Sequence, residues 1–283
     1  MWYLIGSVIL LVVLYLLAIM PRVKNRPDYT PLLGNYYAHR GLHDNEGEAP
    51  ENSMAAFEKA VDAGYGMELD VQLTKDSVPV IFHDETLERI CGVAGKVRDF
   101  TYQELQEFRL CKSEEKIPKL ADFLTLVSGK VPLIIEIKSY ESPARVCAVA
   151  DELISRYQGA YCIESFHPMV VSWYRRHRPS VIRGQLSTNF KEKAKSFPDL
   201  AEDTRKIGKR MMVALWMVRH LLVNFIGRPD FIAYEYCHKY NLSRLLCQKL
   251  YGALSVAWTV RSLEEMKKSS DAFSLFIFEK FLP

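Results

Sequence analysis

No charged side chain occurs in the first twenty residues, MWYLIGSVILLVVLYLLAIM. A helix needs roughly 20 apolar residues to cross a bilayer. No Lys or Arg precedes the run, and it is longer than the about 7–15 residues of a secretory h-region, so a cleaved signal peptide fits less well than an uncleaved anchor over residues 1–21. Cysteine is also sparse. The six, at 91, 111, 147, 162, 237 and 247, show no CxxC spacing and no paired clusters. That argues against a disulfide framework, and the thiols read as free in a reducing compartment. Excess charge is missing too: 37 basic against 34 acidic residues leave +3, which points neither to nucleic acid nor to a general anion trap. No internal repeat or low-complexity segment interrupts the chain, so solenoid and disordered classes fall away.

What is present begins with Arg22, Lys24 and Arg26, directly after the apolar run. Positive charge stays on the cytoplasmic side, so the body is expected in the cytosol at the cell membrane as a single-pass protein. Residues 22–34 read as a basic juxtamembrane linker and 35–283 as one catalytic domain, a size that suits an α/β barrel of about 250 residues. Short β-branched or aromatic runs recur at NYYAH (35–39), MELDV (67–71), PLIIEI (132–137), AYCIESF (160–166), VIRGQL (181–186), FIAYEY (231–236), LSVAWTV (254–260) and SLFIFE (274–279). Helix-like stretches separate them. ENSMAAFEKAVDAG (51–64) has its apolar residues at helical spacing and stops at Gly64, SPARVCAVADELISRY (142–157) opens on Ser-Pro, and Ser262–Glu265 forms a capping box. Strands alternating with helices predict parallel βα units closed into a TIM (β/α)8 barrel.

One apolar run stands outside that count. VPVIFHD (78–84) is separated from the second strand by TKDS alone. A parallel crossover needs a dozen or more residues, so this must be a hairpin. Folding it about Asp76–Ser77 sets His83 opposite Asp70. Glu68 and Asp70, two apart, face one side of their strand. Two such carboxylates repel unless a cation joins them, and oxygen donors favour a hard divalent ion, Mg2+ or Ca2+. Glu136 and Lys138 stand near the end of the next barrel strand, and His39 and Arg40 at the end of the first. A lone Glu in IIEIK is usually an exposed charge and a lone His a satisfied one. Charges gathered at the C-terminal ends of several strands are where barrel enzymes keep their chemistry. Carboxylate, imidazole and cation together suit a phosphate diester: a metal neutralises the anion, Arg and Lys hold oxygens, and two histidines move protons.

AHRG, the block APENSMAAFEKAVDAGYGMELDVQLTKDSVPVIFHDETLERICG, then IIEIK, IESF followed by HP, and WTV resemble the glycerophosphodiester phosphodiesterase family, in order over most of residues 36–262. The resemblance implies a TIM barrel with a β-hairpin and small insertion after strand 2. It implies metal ligation by Glu68, Asp70 and Glu136, acid–base work by His39 and His83, and phosphate binding by Arg40 and Lys138, while Trp258 is a candidate pocket residue. It leaves open which histidine is the base, and whether water or the substrate's neighbouring hydroxyl attacks. Two departures stand out. PENS (50–53) replaces the common PENT but keeps a hydroxyl N-cap, and FSLFIFEKFLP at the C-terminus replaces DGIITD-Pro, so that Glu279 matches the family's acidic position only loosely.

The implied reaction is hydrolysis of glycerophosphodiesters to glycerol 3-phosphate and an alcohol, with a phospholipid-derived diester as substrate. Lysophospholipase D activity is the enzymatic alternative, and a catalytically inactive membrane-bound binding module the non-enzymatic one; intact His39, His83 and three carboxylates argue against the latter. The segment joining the fifth and sixth barrel strands is long and contains RKIGKRMMVALWMVRHLLVNFIGR (205–228). Its run 211–226 reads either as an interfacial helix against the membrane or as a buried barrel helix. Residues 1–26 are expected to be dispensable for the barrel's core.

Overall fold

A computed structural model describes residues 1–140, 142–190 and 209–283. The strands are β1 (Tyr36–His39), β2 (Gly66–Leu73), β3 (Pro79–Ile81), β4 (Leu133–Ile137), β5 (Tyr161–Ser165), β6 (Arg183–Ser187), β7 (Phe231–Glu235), β8 (Leu254–Val260) and β9 (Leu275–Phe278). The helices are α1 (Trp2–Ile19), α2 (Met54–Asp62), α3 (Glu88–Cys91), α4 (Tyr102–Leu105), α5 (Leu120–Val127), α6 (Pro143–Ile154), α7 (Pro168–His177), α8 (Lys209–Arg219), α9 (Asn224–Gly227), α10 (Leu242–Lys249) and α11 (Leu263–Ser269). Eight strands run parallel in the order β1-β9-β8-β7-β6-β5-β4-β2, and a β1–β2 pairing closes the barrel. All eight predicted strands are present.

Alternation along each strand separates two cores. In β2, Met67, Leu69, Val71 and Leu73 pack outward among Phe57, Ala60 and Phe123 of the surrounding helices. The opposite parity points inward. There the lower layer is apolar, built from Tyr37, Ile134, Cys162, Phe231, Val256 and Ile277 and plugged from below by Leu32, whose carbonyl accepts the Tyr37 hydroxyl at 2.7 Å. Gly184 leaves space for the Phe231 ring: a Cβ there would sit 2.1 Å from it. One step up, the same parity delivers His39, Glu68, Asp70, Glu136, Glu164, Glu235, Trp258 and Glu279 to the C-terminal rim.

Local signals behave as their chemistry predicts. Ser53 caps α2 by accepting from the Ala56 amide at 3.1 Å, and the helix ends before Gly64, whose φ of +73 is left-handed. Pro143 opens α6. Ser262 caps α11 through the Glu265 amide, but the Glu265 carboxylate accepts from Arg261 rather than Ser262, so the capping box is half formed.

The hairpin forms with a register one residue from the expected one. Val71 pairs with Ile81 and Gln72 with Val80, and the Phe82 amide donates to the Asp70 carbonyl at 2.9 Å. Phe82, not His83, therefore lies opposite Asp70. The loop is three residues, Lys75–Ser77, closed by Thr74 and Val78, with Ser77 at φ 64. An odd loop of this kind shifts a hairpin by one from a two-residue turn. β3 also leads into an insertion with its own small core around Phe82, Leu87, Ile90, Val97 and Leu105.

The core does use the first residues. Ile19 is fully buried with Leu221, Ile232, Tyr234 and Cys247, and its carbonyl accepts from Asn224 at 2.8 Å. Arg22 reaches Asp230, and Arg26 donates to the carbonyls of Tyr251 and Gly252. The expectation that residues 1–26 are dispensable thus fails at residue 19 and beyond, because the last turn of α1 fills the groove between α9 and α10. Residues 2–14 of α1 are exposed along their length.

Candidate active site

His39 ends β1 and faces Glu68 on the neighbouring strand, with which it is in register. Asp70 is likewise in register with Glu136 of β4. Strand pairing alone therefore gathers Glu68, Asp70 and Glu136; one carboxylate oxygen of each lies within 4.8 Å of the others, and all three are buried. Lys138 donates to Glu136 Oε2 at 2.8 Å, and its Nζ forms an ion pair with Asp70 Oδ1 at 2.9 Å. Arg40 sits at φ 57, its Nε 3.3 Å from Asp70 Oδ2, while its Nη1 donates to Glu51 at 2.6 Å. Asn52 donates to Asp70 Oδ2 at 2.9 Å.

The cluster holds more negative charge than its cations balance. Burial, and then the Asp70 carboxylate, push Glu68 well above the usual carboxylate range. Burial also raises Glu136 against the pull of Lys138. Burial alone would raise Asp70, but Lys138, His83 and Arg40 outweigh it and hold Asp70 well below that range. A fourth buried carboxylate, Glu164 of β5, is in register with Glu136; burial and Glu136 raise it, and its Oε2 has no hydrogen-bond partner among the described residues. Converging oxygen donors that cannot all ionise unaided are the donor chemistry of a hard divalent cation. The residues fit such an ion.

Both histidines are braced the same way. His39 Nδ1–H donates to Glu279 Oε2 at 2.6 Å, and Arg261 holds the other Glu279 oxygen at 2.7 Å. His83 Nδ1–H donates to Asp84 Oδ1 at 2.5 Å, and Arg89 binds Asp84 and Glu51 together. Each carboxylate fixes the tautomer and leaves Nε2 as the reactive nitrogen. His39 Nε2 stands 3.9 Å from Glu68 Oε2. Burial first, and the Arg40 charge second, bring His39 down to about 4 and His83 to about 3, so both imidazoles are neutral at pH 7.

All the predicted rim residues come together, though not in identical company. Lys138 and Arg40 face carboxylates as well as the mouth. Trp258, in β8, packs edge-to-face on Phe166 at 5.6 Å and forms the far wall. Glu279 is more than the loose match its sequence context suggested: β9 closes the barrel between β8 and β1 and delivers Glu279 to His39. Sequence reasoning also passed over Asp84, adjacent to His83, and Glu164, whose strand position two residues before Phe166 was the available signal.

Carboxylates, braced imidazoles and cations on the C-terminal rim of a parallel barrel are the equipment of a phosphodiester hydrolase. The assignment narrows with sequence: residues 39–272 match the glycerophosphoryl diester phosphodiesterase family, and the chain belongs to it. It is a phosphoric diester hydrolase. The YhdW protein of Bacillus subtilis (strain 168), named for the same activity, is 32% identical over 193 residues, covering 62% of this chain and 78% of that one. A lysophospholipase D of Homo sapiens is 34% identical over 160 residues, 52% of this chain and 49% of its own. Among solved structures, an Oleispira antarctica phosphodiesterase in complex with the product sn-glycerol-3-phosphate superposes with a TM-score of 0.66 at 19% identity, covering 87% of this chain and 93% of that one.

Proposed function

We propose that this enzyme hydrolyses glycerophosphodiesters at a membrane surface, releasing glycerol 3-phosphate and an alcohol with the help of one Mg2+ or Ca2+. The observation that carries the reading is the junction of three buried carboxylates with two histidines whose Nδ1 atoms are already committed. Glu68, Asp70 and Glu136 would hold the cation, which when bound supplies positive charge against the diester anion. One Nε2 takes the proton of the nucleophile and the other returns a proton to the leaving alcohol. Lys138 has three N–H donors; one is given to Glu136 and the ammonium is paired with Asp70, which leaves an N–H for a phosphate oxygen. Arg40, aligned by Glu51, offers a second contact.

Membrane attachment is supported by α1, which is long and apolar enough to cross a bilayer, and by its docking. A leader that is removed has no reason to bury Ile19 in the body. Tyr15 meets Ser243 in the first turn of α10 and Ile19 meets Cys247 one turn on, so α1 runs beside α10 and leaves the barrel at the end where the strands finish. The run 211–226 divides between its two readings. Met211, Met212, Val213 and Trp216 of α8 are exposed, whereas Leu221 and Val223 are buried. Ser187 and Tyr234, at the ends of β6 and β7, bind the carbonyls of Val218 and Arg219, which puts α8 beside the mouth. Residues 205–208 of that segment lie outside the described residues. An apolar collar beside the mouth favours lysophospholipids as a second substrate class. Arg22, Lys24 and Arg26 favour a cytoplasmic body.

The test is purified full-length protein in detergent, assayed on glycerophosphocholine and lysophosphatidylcholine side by side with Mg2+, Ca2+ or chelator. Metal-restored release of glycerol 3-phosphate from the first substrate supports the main reading. Choline release from the second alone moves the assignment to lysophospholipase D. Full turnover in chelator would remove the cation. Protease digestion of the body in intact cells would overturn the cytoplasmic placement.

A further inference from the structure

At the end of β7, across the mouth from β2 in the closed strand order, three unlike donors converge. Glu235 is the last residue of the strand, and Cys237 and His238 lie in the 3-10 turn Tyr236–His238 that follows. Residues i and i+3 of such a turn share a face, which brings His238 Nε2 to 3.8 Å from Glu235 Oε2. The carboxylate oxygen, the Cys237 sulfur and the imidazole nitrogen all stand within 4.8 Å of one another. We propose that these three residues form a second metal site, one for a zinc-class divalent transition ion, separate from the hard-cation site of Glu68, Asp70 and Glu136.

Donor chemistry makes the distinction. Thiolate and imidazole select borderline metals such as Zn2+, and a hard ion such as Mg2+ takes oxygens instead. Zinc holds sulfur at about 2.3 Å and nitrogen or oxygen at about 2.0–2.2 Å, so tetrahedral donors stand roughly 3.3–3.6 Å apart. The Glu–His pair needs to close by only a few tenths of an ångström, and Cys237 is exposed. Glu235 has no Lys or Arg within ion-pair distance among the described residues, so its charge faces the imidazole. A second observation supports the site from outside the ligand set. The hydroxyl of Thr188, fully buried just past β6, donates to Glu235 Oε2. Metal-binding carboxylates are oriented by such outer partners. Three protein donors leave a fourth position for water. An ion there would fasten the chain leaving β6 to the end of β7, next to Trp258, which pairs with Glu235 across the sheet. It would stiffen the wall opposite the catalytic carboxylates.

Cobalt(II) distinguishes the two sites, because only a thiolate ligand gives an intense near-ultraviolet sulfur-to-cobalt charge-transfer band. Full-length protein in detergent, stripped with chelator and titrated with Co2+, should develop that band to one equivalent, and Zn2+ should bleach it. Cys237→Ser should abolish the band, and His238→Ala should weaken Co2+ binding by about 10-fold or more. Glu136→Gln should leave the band unchanged. Cys237→Ser should keep its far-ultraviolet circular dichroism and Mg2+-supported hydrolysis within about twofold of the parent, since Cys237 is exposed. A parent protein without the band, a band that persists in Cys237→Ser, or Co2+ affinity indifferent to His238→Ala would each overturn the site.

Discussion

Two buried charge clusters occupy opposite ends of this barrel, and they resolve their excess charge differently. At the base, Asp230 lies between Arg183 and Arg22, each at 3.6 Å. Cations are in surplus there, and burial brings Arg183 down to about 10. Peptide carbonyls absorb the surplus: Arg183 donates to Gly227 and Arg228 at 3.1 and 3.0 Å. At the mouth the surplus is negative. Amides and cations reach Asp70, but Glu68, Glu136 and Glu164 are left raised by burial and by one another. A chain can cover buried positive charge with its own carbonyls wherever a loop passes. It has no equally cheap cover for several converging carboxylates, which is why an unbalanced acidic cluster points to a ligand and a balanced one to architecture.

The comparison breaks most sharply at Asp70. Asp70→Asn removes the carboxylate that joins Lys138, Arg40, Asn52 and the expected cation. Losing a charged ligand of that cation should make hydrolysis fall by ~10³-fold, about 4 kcal/mol of barrier, and divalent-ion affinity should drop with it. Steady-state rates across a Mg2+ titration give both. Near-parental turnover would show that the mouth cluster is architecture after all.

The histidines come next. His39→Ala and His83→Ala should each lower turnover by ~10²-fold or more. Glu279→Gln keeps a hydrogen bond to His39 but loses the charge, so its loss should be smaller, about 10-fold, and should show as a shifted pH–rate profile with KM little changed. An unchanged profile would reduce Glu279 to closing the barrel.

At the base the same kind of removal should touch stability and not rate. Asp230→Ala leaves Arg183 with its carbonyl partners, so the cost should be about 1–3 kcal/mol, read as a lower urea midpoint with kcat within twofold. A large loss of kcat at preserved stability would mean that the two ends are coupled.

A smaller effect separates the ends by pH. Asp84, bound by His83 and Arg89 despite its burial, is held down to about 2 against an ordinary 3.8. A carboxyl lowered on folding stabilises the protein above its unfolded value, and that contribution disappears as pH falls from about 4 toward 2. It amounts to no more than about 2 kcal/mol for a partly exposed group. Thermal unfolding of Asp84→Asn should therefore depend less on pH in that window than the parent does. An identical slope would place the acid sensitivity elsewhere.

Much of this was legible because strand parity is written in the chain. Apolar runs interrupted by charge at alternate positions, such as MELDV and IIEIK, announced inward-facing carboxylates, and the shortness of TKDS forced a hairpin. What was lost depended on geometry or distance. A three-residue loop and a two-residue turn look alike in TKDS, so the register slipped by one. Glu279 meets His39 across 240 positions, and no local pattern carries such a pairing. The run 211–226 read as one element because its hydropathy is continuous, although the turn at residues 220–223 sends its halves to different surroundings.

That division supplies the smallest and most discriminating test of the two ends. Met212 and Trp216 are exposed beside the mouth, whereas Leu221, a few residues on, is completely buried. Met212→Ser with Trp216→Ser should leave the urea midpoint within about 0.5 kcal/mol, as exposed substitutions do. Leu221→Ser should instead lower stability by at least about 2 kcal/mol, as for a truncated core leucine. Leu221 packs with Ile19 of α1, whereas Met212 and Trp216 are outside that cluster, so any functional change in the double variant reports contact between α8 and lipid. The sensitive quantity is a ratio, kcat/KM on lysophosphatidylcholine in vesicles over kcat/KM on soluble glycerophosphocholine. Removing two apolar side chains from an interface should lower it a few-fold, because each contributes about 1.5–3 kcal/mol only when fully buried and these would be partly so. A ratio that does not move would mean that α8 faces water and that the mouth works without the bilayer.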